Sequence, residues 1–194
     1  MAKSPTQATS PPAKVDPAAL HIVEYPAPVL RVRAKPVEKV TAEVRAVAAR
    51  MVELMRQAKG IGLAAPQVGL SWRMFICDIP RSEDHSPDSD PPTGTDGPQF
   101  YINPKLSHPV GAPQKMEEGC LSLPEITGEV LRPPTITITA LDLHGRSFTR
   151  TATGLLARCW QHEMDHLDGV LIIDKMTQMS RLKNRTLIKD LESQ

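Results

Sequence analysis

Gly154-Leu155-Leu156-Ala157-Arg158-Cys159-Trp160-Gln161-His162-Glu163-Met164-Asp165-His166-Leu167 is the stretch around which the chain is organised. Leu155, Leu156, Cys159, Trp160, Met164 and Leu167 form an apolar stripe broad enough for a buried helix. Gly169 is placed to end it, because glycine readily takes the left-handed backbone of a helix terminus. His162 and His166 lie four residues apart and so share one helix face, where both imidazoles can point at one ion. Glu163 is rotated from His162 by about 100°. It cannot easily be a third ligand in the same plane, but it can reach a water bound to that ion. The H-E-x-x-H spacing therefore points to metal-assisted hydrolysis with a carboxylate as proton carrier. The plain alternative is two ordinary helix histidines. Against it, Glu163 and Asp165 would be costly in a buried helix without a partner or a task. Asp165 is left open between a surface position and a hydrogen bond behind the ligands.

Working outward, residues 41–58 read as a first long helix. Val40, Val44, Val47, Met51, Leu54, Met55 and Ala58 recur at three- and four-residue steps, with Thr41 as cap and Gly60 as stop. Trp72 to Ile79 reads as a buried strand, and Gln99–Asn103 as a short one. Thr135–Leu141 alternates Thr with Ile136, Ile138 and Ala140, the period of a strand with one buried face. Ser147–Ala152 can pair back on it across Asp142-Leu143-His144-Gly145. Residues 176–191 read as a continuous amphipathic terminal helix. Residues 1–19, rich in Pro, Ala, Ser and Thr, are expected to be a disordered tail. Residues 20–194 form a single domain with a polar surface insertion at 81–98 that sits away from the motifs. The fold class is α+β: small antiparallel sheets around a buried central helix carrying H-E-x-x-H, with an N-terminal and a C-terminal helix.

A chain of 194 residues with 40% hydrophobic residues can bury one sizeable core. A net charge of +1 gives no bulk attraction for membrane or nucleic acid. Cys77, Cys120 and Cys159 are odd in number and show no paired framework, which suits a reducing compartment. No apolar run is long enough to span a bilayer, and the N-terminus lacks an apolar signal core. A cytoplasmic protein is expected. The basic, acid-free leader leaves an organelle-targeted form open.

A hydrolytic site needs a third protein ligand and one open position. His21, His85, His108 and His144 lie at a tail boundary, in the insertion or in turn-like contexts. Among the cysteines, Cys120 stands out in Glu117-Glu118-Gly119-Cys120-Leu121-Ser122-Leu123-Pro124, while Cys77 and Cys159 read more easily as core. Spacing alone makes this only a preference. Gly60-Ile61-Gly62-Leu63-Ala64-Ala65-Pro66-Gln67 lacks the order of a nucleotide loop. Its glycines can bring backbone close to an extended peptide, and Gln67 offers an amide to an oxyanion. A helix stop followed by a small-residue turn explains it equally well.

Taken together, Gly60–Gln67, Glu118-Gly119-Cys120-Leu121-Ser122 and Gln161-His162-Glu163-Met164-Asp165-His166-Leu167, in that order, resemble the marking segments of the peptide deformylase family, bacterial type. The similarity runs from about Leu20 to Asp174, with a family-like terminal helix behind it. The resemblance implies a hydrolase that removes the formyl group from the N-terminal methionine of nascent polypeptides and releases formate. It implies Cys120, His162 and His166 as ligands of one divalent metal ion, Fe(II) first, with Zn(II), Ni(II) or Co(II) as replacements. Glu163 would be the general base and acid, and Gln67 with the Leu121 N–H the oxyanion donors. Backbone at Ile61 and Gly119 would pair with the peptide, near Gly62. The methionine pocket would involve Gly60, Ile61, Glu118, Arg158, Cys159 and His162, with the charged end of Arg158 reaching solvent. Arg181, Lys183, Arg185 and Lys189 would either help dock at the ribosome near the exit tunnel or form a solvated helix face. A monomer is expected, without membrane or sequence-specific nucleic-acid partners. Two rivals remain: a zincin-like metallopeptidase, which normally takes a downstream third ligand, and an inactive peptide-binding protein, which has no reason to retain Glu163, Gln67 and every ligand.

Overall fold

Thr41 caps the first long helix, α1 (Ala42–Gln57), by accepting the Val44 N–H on Oγ1 at 3.3 Å. Val44, Val47, Ala48, Met51, Leu54 and Met55 form its buried face, as the periodicity requires. Its end differs from expectation. The left-handed residue is Lys59 (φ 55°), and Gly60 follows it with its N–H on the Met55 carbonyl at 2.9 Å. A Cβ at Gly60 would lie 2.7 Å from Leu121 Cδ1, the movable end of that side chain.

The computed structural model describes residues 14–193. The part of the expected tail at 1–13 lies outside the described residues. The part at 14–19 is a correction, because it is held against α1. Val15 donates its N–H to Glu43 Oε1 at 2.6 Å, and Asp16 caps a single 3-10 turn, Pro17–Ala19. The acceptor for Val15 comes from 28 residues downstream, so composition alone could not reveal the attachment.

Seven strands follow in chain order: β1 (Gly62–Ala64), β2 (Met74–Cys77), β3 (Gln99–Val110), β4 (Gln114–Cys120), β5 (Leu123–Arg132), β6 (Thr135–Leu141) and β7 (Ser147–Thr153). Among the described residues, one antiparallel sheet has the order β1-β2-β3-β6-β7, and β4 pairs with β5 in a separate hairpin. β3 runs further than expected, continuing past Asn103 and Pro104. The backbone absorbs the proline at an irregularity between Ile102 and Lys105, where Asn103 takes φ 52°.

The central helix, α2 (Gly154–Leu167), packs on the large sheet through Leu156, Ala157, Cys159, Trp160 and Leu167. Trp160 meets Tyr101 edge-on at 5.5 Å, and Tyr101 stacks on Phe75 at 4.7 Å. Gly169 (φ 75°) ends α2, and the Val170 N–H closes onto the Asp165 carbonyl at 2.9 Å. The polar stretch at 81–98 does not stand apart from this helix. Thr95 is buried and bonded both ways to Ile79, while the Thr93 carbonyl accepts the Leu156 N–H in the first turn of α2. The loop thus satisfies a backbone donor that a helix start leaves free.

The terminal segment is also a correction. It comprises α3 (Ile172–Lys175), α4 (Gln178–Lys183) and α5 (Arg185–Glu192), with a break at Asn184. Asn184 Nδ2 donates to the Thr127 carbonyl at 2.7 Å and to Ser180 at 2.8 Å, pinning the bend to β5. Leu123, Ile126 and Val130 of the hairpin share a core with Ile172, Ile173, Ile188 and Leu191. Among the described residues, no helix is long and apolar enough to cross a membrane.

Candidate metal centre

Two elements with no sheet in common meet at one point. Cys120 ends β4 where the pairing register with β5 shifts, and His162 and His166 face it from α2. One ligand atom from each of the three lies within 4.8 Å of the other two. Cys120 Sγ is 3.2 Å from His166 Nε2, and the imidazole centroids are 5.0 Å apart. His162 Nδ1 is engaged 3.0 Å from Glu118 Oε2, which leaves Nε2 as its free ligand atom. One thiol and two imidazoles, one of them oriented by a carboxylate, make a donor set that suits a borderline divalent ion.

Behind His162 lies a buried ion network. Arg132 forks onto both oxygens of Glu118 at 2.7 and 2.9 Å, and Arg158 Nη1 reaches Glu118 Oε1 at 2.7 Å. Burial would raise the Glu118 carboxyl, but hydrogen bonds from Arg132 and then His162 hold it well below the usual carboxylate range. Arg132 also donates to Asp165 Oδ2 at 2.8 Å, and Lys175 Nζ stands 3.4 Å from the other oxygen. Asp165 is therefore a member of this network. Burial pushes His166 well below the usual imidazole range, with His162 and Arg132 adding to the effect.

Glu163 is 3% exposed, and its Oε2 has no partner. Burial raises its carboxyl to about 7, despite the opposing pull of His162 and Arg132. A group in that range can both take and return a proton near neutral pH. Gly62 makes the room: a Cβ there would overlap Glu163 Oε1 and lie 2.8 Å from Cys159 Sγ. Gln67 is held by its oxygen, which accepts the Ala64 N–H at 2.9 Å. Its Nε2 then faces Ser122 Oγ at 3.3 Å and Cys120 Sγ at 3.6 Å.

A cavity of about 370 Å³ opens beside these groups. Gly60, Ile61, Gly62, Glu118, Gly119, Leu121, Arg158 and Cys159 all border it, together with Gln67, Cys120, His162 and Glu163. Arg158 corrects the sequence reading. Its guanidinium does not reach solvent, because the side chain is 7% exposed and bound to Glu118, the Val130 carbonyl and the Gln114 carbonyl. Sequence reasoning missed Arg132 and Met116, which belong to the unassigned strands at 114–132. The alternation of Ile126, Gly128 and Val130 with Thr127 and Glu129 is a usable sequence signal for β5. Nothing in the sequence marked Cys77 as the close neighbour of Cys159, with Sγ atoms 3.2 Å apart.

The family model described as polypeptide deformylase matches residues 19–182. The chain belongs to the polypeptide deformylase family. The peptide deformylase of Acinetobacter baumannii is 42% identical over 177 residues, covering 91% of this chain and 94% of that protein. That of Acidobacterium capsulatum is 44% identical, covering 82% of this chain and 88% of that protein. Among solved structures, the Plasmodium falciparum peptide deformylase complex with inhibitor matches with a TM-score of 0.77 and 35% identity. It is covered to 99%, against 89% of this chain. The Thermotoga maritima peptide deformylase matches with a TM-score of 0.72 and 39% identity, over 81% of this chain and 97% of that one. Deformylases are metal-dependent hydrolases of protein biosynthesis that remove the formyl group of nascent peptides, and the chain is an enzyme of that class. Family membership over residues 19–182 sets aside the metallopeptidase and the inactive binding protein. The cysteine–histidine triad is a group able to hold a metal ion.

Proposed function

We propose that the chain hydrolyses the formyl amide of N-terminal formyl-methionine with one divalent ion held by Cys120, His162 and His166. The observation that carries this reading is the convergence of those three ligand atoms within 4.8 Å beside a cavity that contains buried Glu163. Fe(II) is the first choice and follows from the family resemblance; the donor set itself suits Fe(II) and Zn(II) alike, with Ni(II) or Co(II) as replacements. A bound ion supplies Lewis-acid polarisation of the formyl oxygen and lowers the pKa of water.

The chain's own residues do the rest. Glu163 takes the proton of the attacking water at its carboxylate and returns it to the leaving nitrogen, so that formamide and water become formate and amine. Gln67 Nε2 and the Leu121 N–H donate to the oxygen that gains charge. Backbone at Ile61 and Gly119, with Gly62 between pocket and sheet, holds the peptide as an added strand. The methionine side chain enters the cavity beside Gly60, the stem of Arg158 and Cys159, gaining roughly 1.5–3 kcal/mol from burial. Discrimination against an acetyl group is steric and turns on its one extra methyl. The enzyme works as a cytoplasmic monomer on nascent chains, and Arg181, Lys183, Arg185 and Lys189 provide its contact with the ribosome. The test is formate release from a formyl-Met tripeptide by full-length protein reconstituted anaerobically with each ion. Release with Fe(II), lost in air and retained with Ni(II), supports the reading. No release with any ion, or equal cleavage of the acetyl analogue, overturns it.

A further inference from the structure

The triad draws Cys120 from the β4–β5 hairpin and both histidines from α2, so its geometry depends on how two separate elements are held together. The hairpin is not hydrogen-bonded into the large sheet, and its apolar face packs on the terminal helices, away from α2. A two-stranded hairpin has little rigidity of its own. What ties it to α2 is polar, and Arg158 supplies much of the tie. Arg158 lies four residues before His162 on the same helix face. Its Nη1 donates to Glu118 Oε1 at 2.7 Å and to the Val130 carbonyl at 3.1 Å, and its Nη2 donates to the Gln114 carbonyl at 2.7 Å. One helix side chain thus grips both strands of the hairpin and the carboxylate that orients His162.

We infer that Arg158 is a positioning residue: it clamps the cysteine-bearing hairpin onto the histidine-bearing helix and so sets the triad, and its polar end does not serve substrate binding. The inference rests on the proposed ion site. Arg132 makes the same carboxylate contact but from β5, within the hairpin, and reaches α2 only through Asp165. Removing Arg158 leaves Glu118 still paired with Arg132 and His162, so the fold should survive while the clamp is lost. Lysine would keep one charge near Glu118 but cannot span three acceptors with a planar fork.

The test uses full-length Arg158→Met and Arg158→Lys beside wild type, loaded with Ni(II) and challenged with a chelator. The clamp predicts ion release about ten-fold faster or more in Arg158→Met, the scale seen when groups behind metal ligands are removed. Arg158→Lys should fall between. In the ion-free protein, amides at 114–120 should exchange with solvent about ten-fold faster in Arg158→Met, and kcat should fall further than KM rises. Wild-type release and exchange with a raised KM would overturn the clamp and return Arg158 to the substrate pocket. If Arg158→Met does not fold, Arg158→Lys decides by the same release and exchange measurements. Wild-type protein that retains no ion would instead sink the ion site itself, a separate failure.

Discussion

Glu118 Oε2 stands 3.0 Å from His162 Nδ1 while both oxygens of the same carboxylate are gripped by Arg132. One buried carboxylate therefore orients an imidazole of the proposed ion site and pairs with the guanidinium groups of both Arg132 and Arg158. Glu118→Ala should leave Arg132 and Arg158 buried without their shared counterion, at a cost of about 3–5 kcal/mol. Urea denaturation reads the stability, and chelator competition should show an ion affinity about 10–100-fold weaker. Unchanged stability would mean that the network is not compensating charge.

Gln67 is fixed through its oxygen by the Ala64 N–H, so its amide nitrogen is aimed at the pocket before any substrate arrives. Gln67→Ala should lower kcat for a formyl-Met peptide by about 100–1,000-fold, the loss expected for one oxyanion donor. Ion content should stay at the wild-type level. A loss confined to KM would place Gln67 in ground-state binding instead.

Gly62 faces Glu163 and Cys159 with no space for a side-chain carbon. Gly62→Ala should displace the Glu163 carboxylate and lower kcat sharply, while overpacking costs about 1–3 kcal/mol. Steady-state kinetics beside thermal melting separates the two effects. Wild-type kcat would show that Glu163 need not sit where the structure has it.

Gly169 adopts φ 75°, and a Cβ there would meet the Arg31 carbonyl carbon at 2.8 Å. Gly169→Ala should destabilise the fold by at least about 1–2 kcal/mol, from left-handed strain together with the clash. Chemical denaturation measures it.

Much of this architecture was legible in the sequence for stated physical reasons. α2 ends where its apolar stripe ends and Gly169 begins, and β6 spans the Thr135–Leu141 alternation, because each element's own period defines it. What was not legible depends on distant partners. The terminal helix has unbroken amphipathic spacing, yet Asn184 spends its amide on the Thr127 carbonyl and divides it. Arg158 reads as a snorkelling side chain until the hairpin at 114–132 places a carboxylate and two carbonyls around it. The same holds at the site. His162, His166 and Glu163 follow from helical spacing, whereas Cys120 was only a preference until β4 brought its sulfur 3.2 Å from His166.

In the proposed mechanism Glu163 carries the proton at an ion held by Cys120, His162 and His166. Its most direct test is formate release by Glu163→Gln, with ion content measured on the same sample. One ion per chain is expected, as in wild type, with turnover reduced by about 100-fold or more. Normal turnover with the ion in place would contradict it.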